Sequence, residues 1–191
     1  MSKRLIIGIS GASGAVYGVR ALEMLAAIGV ETHLVLTKAA ELTLASEDLP
    51  SSNELKKRAS YVHKIADVGA SIASGSFKTD GMLIAPCSVR TMGEIATGVT
   101  SNLLTRAADV QLKERRRVVL MLRETPFHLG HIRTMAAVTE MGGIIFPPVP
   151  AFYAKLTSID EMVTQSVGRA LDLFGYEATG IKRWGEDVGP V

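Results

Sequence analysis

A chain of 191 residues with 21 basic and 19 acidic side chains fits one domain, and its near-neutral balance excludes a global field drawing it to nucleic acid or membrane. Its single cysteine, Cys87, excludes a disulfide framework and a multi-cysteine zinc site and fits a reducing cytoplasm. Apolar residues make up 47% of the chain but aromatics only 5%, more apolar surface than one small domain hides, so subunit interfaces are expected.

The opening "MSKR" leads into a strand too short to span a membrane and shows no signal-peptide pattern, so a cytoplasmic location is expected. Apolar β-rich runs cover Arg4 to Ile9, Thr32 to Thr37, Gly81 to Pro86, Arg117 to Leu122 and Gly142 to Pro147. Helical patterns cover Ala15 to Ile28, Lys38 to Leu44, Ser88 to Ala96, Asn102 to Glu114, His128 to Met141 and Ser158 to Phe174. Continuous apolarity in the strands implies burial on both faces. The alternation predicts an α/β fold: a doubly wound parallel sheet in three α/β/α layers, Rossmann-like or flavodoxin-like, forming one domain over 1–191 with 175–191 as a tail. Ligands of such folds bind beyond the carboxyl ends of the strands, which puts the segments after each strand in question.

The first of them, "SGASG" (Ser10 to Gly14), fits neither G-x-G-x-x-G nor a P-loop. A small-residue strand end followed by a helix start favours an anion through free amides and the dipole, with Ser10 and Ser13 as hydroxyl donors; a plain tight turn is the alternative. An NAD-binding fold would close its second strand with an acidic residue, but here Thr37 and Lys38 suit a phosphate better than a ribose diol. "LKERRR" (Leu112 to Arg117) fits a helix C-terminus, His128 and His131 ordinary helix histidines, and Cys87 a buried small side chain. "RET" (Arg123 to Thr125) offers either a helix-start ion pair or an anion clamp beside an acid/base.

Taken together, "GISGASGA", "TKAA", "APCS", "TRAADVQLKERR", "RETPFHLGH", "PPVPAFY" and "RWG" resemble the flavin prenyltransferases (UbiX-type), once described as aromatic-acid decarboxylases; the likeness runs from about Lys3 to Gly185. It implies a flavodoxin-like domain, a homo-oligomer of dodecamer type, and transfer of a dimethylallyl group from dimethylallyl phosphate to N5 and C6 of reduced FMN. The prenylated FMN would go to a partner decarboxylase, with no metal required. The resemblance places FMN at Gly11, Ala12, Ser13, Thr37, Ser88, Val89, Arg90, Thr91 and Arg123, the contacts of Val89 and Arg90 being main-chain. It places the allyl phosphate at Tyr153 and Arg169 with help from Lys113 and Arg106, proton handling at Glu47 and Glu124, and a pocket wall at Trp184. The chain has no Asp-Asp pair of the kind that holds Mg²⁺ and diphosphate, which agrees with a metal-free route. Two enzyme alternatives share this scaffold: an aromatic-acid decarboxylase and an FMN-dependent cysteine decarboxylase. The latter carries P-x-M-N-x-x-M-W where this chain has "RETPFHLGHIRTM".

Overall fold

The computed structural model describes residues 3–190; the ends of the expected domain and tail, Met1, Ser2 and Val191, lie outside the described residues. Six strands form one parallel sheet: β1 (Arg4–Ile9), β2 (Glu31–Leu36), β3 (Tyr61–His63), β4 (Gly81–Cys87), β5 (Arg117–Leu122) and β6 (Ile144–Ile145), in the order β3-β2-β1-β4-β5-β6. Without the three-residue edge strand β3, the order of the remaining five is that of flavodoxin-like sheets. The order reverses between β1 and β4, so the crevice beyond their carboxyl ends is where a ligand is expected.

Among the described residues, seven α-helices cover the two faces: α1 (Val16–Ala27), α2 (Lys38–Ser46), α3 (Ser52–Lys56), α4 (Val89–Thr97), α5 (Leu103–Lys113), α6 (Leu129–Glu140) and α7 (Ile159–Asp172). Successive strand residues point to opposite faces. Thus Leu5, Ile7 and Ile9 of β1 join a core with Leu22 and Leu25 of α1 and Val167 and Leu171 of α7. Ile6 joins Met82, Ile84, Leu104 and Ala108 on the other face. This two-sided burial is why the strands read as unbroken apolar runs.

A short helix and an edge strand were not expected, and one strand was shortened. α3 begins with a reciprocal capping box, Ser51 with Glu54, a signal present in the sequence as S-x-x-E. β3 is pinned through side chains: His33 Nδ1 and His63 Nε2 lie 2.9 Å apart, and His33 Nε2 is 2.8 Å from Glu31 Oε1. Tyr61 stacks on His33, and Arg4 pairs with Glu31. The expected strand from Gly142 to Pro147 contracts to Ile144–Ile145, because Gly142 turns at φ +92° and Pro147 has no N–H to donate. Beyond α7 the chain packs back along that helix, with Gln165 and Lys182 exchanging hydrogen bonds at 2.8 Å. Tyr176, in the segment expected as a tail, is buried and donates to Asp80. No helix among the described residues is long and apolar enough to cross a membrane.

Candidate active site

The loop Ser10 to Gly14 sits where the sheet order reverses, and its small residues are dictated by neighbouring backbone. A Cβ on Gly18 would lie 2.4 Å from Ala85 O, so only glycine lets α1 close down on β4. A Cβ on Gly11 would lie 2.3 Å from Ala39 Cβ. Glycine at 11 therefore admits the first turn of α2, rather than serving only the approach of a ligand.

Ser10 does not donate to a ligand as expected. It is buried, its hydroxyl donates to Pro86 O at 3.0 Å and accepts from Ser88 N–H at 2.8 Å, and it fastens the β1 loop to the β4 loop. The N-terminus of α1 also differs from the expectation of an open anion site. Its N-cap, Ala15, has no capping side chain, and Glu47 supplies the missing acceptor from the end of α2. The carboxylate accepts from Ser13 Oγ at 2.9 Å, Gly14 N at 2.7 Å and Ala15 N at 2.9 Å. The protein's own anion thus occupies the positive end of α1.

The other helix starts stay available. Thr37 caps α2 and Ser88 caps α4 by accepting from Ala40 N and Thr91 N, which leaves first-turn amides with no partner inside either helix. Between them lies a cavity of about 400 Å³ lined by Gly11, Thr37, Lys38, Ala39, Ile65, Ser88, Val89, Arg90, Thr91, Glu94 and Asn102. Lys38 and Arg90 add positive charge, and Arg90 pairs with Glu94 at 3.0 Å. A second cavity of about 340 Å³ shares Gly11, Ser88 and Val89 and adds Ala12, Ser13, Arg123, Glu124 and Thr125. Of the two readings of "RET", the Arg123–Glu124 ion pair is not formed: Arg123 Nε donates to Ser13 O at 3.2 Å, and Glu124 accepts from Thr125 N at 2.9 Å. Both side chains are thus held on the cavity wall by main chain.

The structure therefore brings together Gly11, Ala12, Ser13, Thr37, Ser88, Val89, Arg90, Thr91, Arg123 and Glu124, with Glu47 joined through Ser13. It does not bring in the expected allyl-phosphate group. Lys113 stands at the far end of α5, about 16 Å of helix from Asn102, and pairs with Glu114; Arg106 pairs with Asp109. Arg169 lies near the end of α7 and shares Asp172 with Arg183. Tyr153 and Trp184 touch edge to face, centroids 5.6 Å apart, and line neither cavity.

Among residues not singled out beforehand, Ile65, Glu94 and Asn102 line the wider cavity, and Tyr17 packs against Gly14. Asn102 carried a signal, an N-cap side chain before the run "LLTRAA". Tyr17 carried none. Burial pushes the Cys87 thiol well up, which removes it as a nucleophile. His128 Nδ1 caps α6 by accepting from His131 N, and among the described residues no cluster of three His, Cys, Asp or Glu is placed to hold a metal.

The model of the family described as Flavoprotein matches residues 1–171. The "Flavin prenyltransferase UbiX" of Neisseria meningitidis serogroup B is 58% identical over 184 residues, 96% of this chain and 97% of that protein. The chain belongs to the flavin prenyltransferase family. Among solved structures, the family member AnUbiX (PadA1), in complex with FMN and dimethylallyl pyrophosphate, superimposes with a TM-score of 0.95 at 46% identity, covering 97% of this chain and 98% of that one. A dodecameric FMN-dependent UbiX-like decarboxylase from Escherichia coli O157:H7 gives a TM-score of 0.92 at 43% identity, covering 95% and 98%. This flavin prenyltransferase scaffold thus extends through the segment after α7 as well as the sheet.

Proposed function

We propose that the protein joins the dimethylallyl group of dimethylallyl phosphate to N5 and C6 of reduced FMN, releasing inorganic phosphate, and that the crevice between β1 and β4 is where it does so. The observation that carries this is the donor set: two helix starts, Lys38 and Arg90 around one cavity, with Arg123 and Glu124 in the adjoining one. The wider cavity suits the FMN phosphate, through the first-turn amides of α2 and α4 and the hydroxyls of Thr37 and Ser88. The narrower one suits the ring, with Ser13, Arg123 and Glu124 around it. Reduced FMN supplies both nucleophilic atoms.

The chain's own groups do the rest. N5 takes allyl C1 as the C1–O bond to phosphate breaks, and the phosphate carries off the N5 proton. Closing the ring from C6 to prenyl C3 consumes the C2=C3 double bond, so a proton is added at C2 and the C6 proton is lost, both moved by Glu124 or the released phosphate. Ser13 hydrogen-bonds at the reacting edge, and Glu47 orients Ser13. Arg169, Lys113 and Arg106 stabilise the phosphate as its negative charge grows, with Tyr153 at the same anion. Trp184 and Tyr153 present aromatic faces to the allylic cation and keep water away.

Because Tyr153, Arg169, Lys113 and Trp184 lie off the cavity of their own protomer, they serve the cavity of another copy. The exposed apolar side chains Leu129, Ile132, Val149, Phe152 and Ile159 support such an assembly, of dodecamer type. The product leaves for a decarboxylase that uses prenylated FMN, in the cytoplasm.

Anaerobic incubation with reduced FMN and dimethylallyl phosphate, read by mass spectrometry, tests the reading: a prenylated flavin supports it, and unaltered FMN overturns it. The decarboxylase name carried by one structural neighbour motivates a second arm with aromatic acids. Release of CO₂ by the purified protein without any prenyl donor would favour that second reading.

A further inference from the structure

Tyr17 stands in the first turn of α1, half-buried, its ring laid against Gly14. A Cβ on Gly14 would lie 2.8 Å from ring Cε2, 2.9 Å from Cδ2 and 3.5 Å from Arg123 Nε. Gly14 takes φ +98°, so no side chain intervenes, and the open side of Gly14 is flanked by the Tyr17 ring and by Arg123 Nε. Burial raises the pKa of the phenol, which also feels the charges of Arg123 and Glu47, so its hydroxyl stays neutral.

Arg123 needs such a brace. Its hydrogen bond within the described chain runs from Nε to Ser13 O at 3.2 Å, and no carboxylate pairs with it there. An arginine stem carries large rotamer freedom, and one bond at Nε leaves the outer guanidinium free to swing off the cavity wall. The Ser13 carbonyl that holds it belongs to the loop that the Tyr17 ring backs at Gly14. The N–H of Gly14 is held by Glu47, so the Tyr17 ring backs the loop bearing Ser13 and, through the Ser13 carbonyl, the arginine.

We propose that Tyr17 is a positioning residue of this site: its ring braces Gly14 and the Ser13 carbonyl beside it, so that Arg123, which donates to that carbonyl, stays on the cavity wall where the flavin ring binds. The proposal rests on the flavin reading above. It assigns the work to the ring rather than to the hydroxyl.

The test is FMN affinity, from quenching of flavin fluorescence by the full-length protein, for Tyr17→Leu, Tyr17→Phe, Arg123→Ala and the Tyr17→Leu/Arg123→Ala pair, with melting temperature measured alongside. Tyr17→Leu should weaken FMN binding about tenfold, the size of one lost charge-assisted contact, while Tyr17→Phe restores it to within about twofold. In the Arg123→Ala background, Tyr17→Leu should add less than about twofold, because the two act as one unit. A merely structural tyrosine would lower melting temperature and leave affinity below the transition unchanged. Additive losses, or unaltered affinity in Tyr17→Leu, would overturn the proposal. Should Tyr17→Leu not fold, Tyr17→Met replaces it with the same expectations. Wild-type protein that binds no FMN would overturn the flavin reading itself, whereas wild-type binding with an indifferent Tyr17→Leu overturns only this assignment.

Discussion

Glu47 offers the sharpest perturbation, because its carboxylate closes the α1 helix start and the Ser13 loop at once. Glu47→Gln keeps the length of the side chain and one acceptor oxygen. That oxygen can still accept from Ser13 Oγ and Gly14 N, which now share Oε1, but the amide NH₂ would face the Ala15 N–H that Oε2 accepts from at 2.9 Å. One hydrogen bond to a charged acceptor is lost and a donor is set against a donor, a cost of about 2–3 kcal/mol. The negative charge at the positive end of α1 goes as well. For a chain of this size about 2–4 °C accompanies each kcal/mol, so the melting temperature should fall by about 4–12 °C. FMN affinity should fall several-fold with it, since the loop carrying Ser13 loses its anchor. Thermal unfolding by circular dichroism and flavin titration measure both. A Glu47→Gln protein with wild-type melting temperature and wild-type FMN affinity, but no turnover, would refute the anchoring role and leave Glu47 as a proton carrier alone.

Gly11→Ala should displace the first turn of α2 and weaken FMN binding, at a cost of about 1–3 kcal/mol from overpacking against Ala39, and Gly11→Ala/Ala39→Gly should recover most of it; flavin titration of both variants decides. Glu124→Gln should retain FMN but yield no cyclised product by mass spectrometry, because the amide keeps the shape and loses the basic site. The His33–His63 pair gives a pH dependence of defined sign. Burial holds both histidines below their ordinary value of 6.5, so the stabilisation is complete above that value and is lost as pH falls through the lower folded values. Glu31, held low by Arg4 and His33, adds its loss only further down, below 4.5. Melting temperature should therefore drop below about pH 6.5 in wild type and drop less in His63→Gln; parallel pH profiles would exclude the pair as the cause.

Much of this architecture could be read from the residues. β1 and β5 fall where the apolar runs placed them, since strands buried on both faces leave no polar alternation to blur their ends. β3 was invisible because three residues held by a histidine pair and an aromatic stack show no periodicity, and β6 was overdrawn because Gly142 and Pro147 cut a longer apolar run. Helix caps were legible at Thr37, Ser88 and Asn102, where a hydroxyl or amide precedes a helical pattern. The pairing of Glu47 with the α1 start was not, because it joins residues more than thirty positions apart, and a free helix start in sequence is an occupied one in space. For the same reason Ser10 read as a donor to a ligand while its partners are Pro86 and Ser88. The grouping of Arg169 with Asp172 and Arg183, away from Glu124, depends on the packing of α7 and the segment after it, and no motif encodes that.

In the proposed function, each active site joins the β1/β4 crevice of one copy to the Tyr153, Arg169 and Trp184 surface of another. The most direct measurement is the yield of prenylated FMN from oligomers assembled by co-expression of Glu124→Gln and Arg169→Ala chains. Each variant alone should give no cyclised product, because every crevice then lacks one of the two groups. Mixed particles should recover part of the wild-type yield, since some crevices combine an intact Glu124 with an intact Arg169 from the neighbouring copy. Mixed particles as inactive as either variant alone would contradict the account.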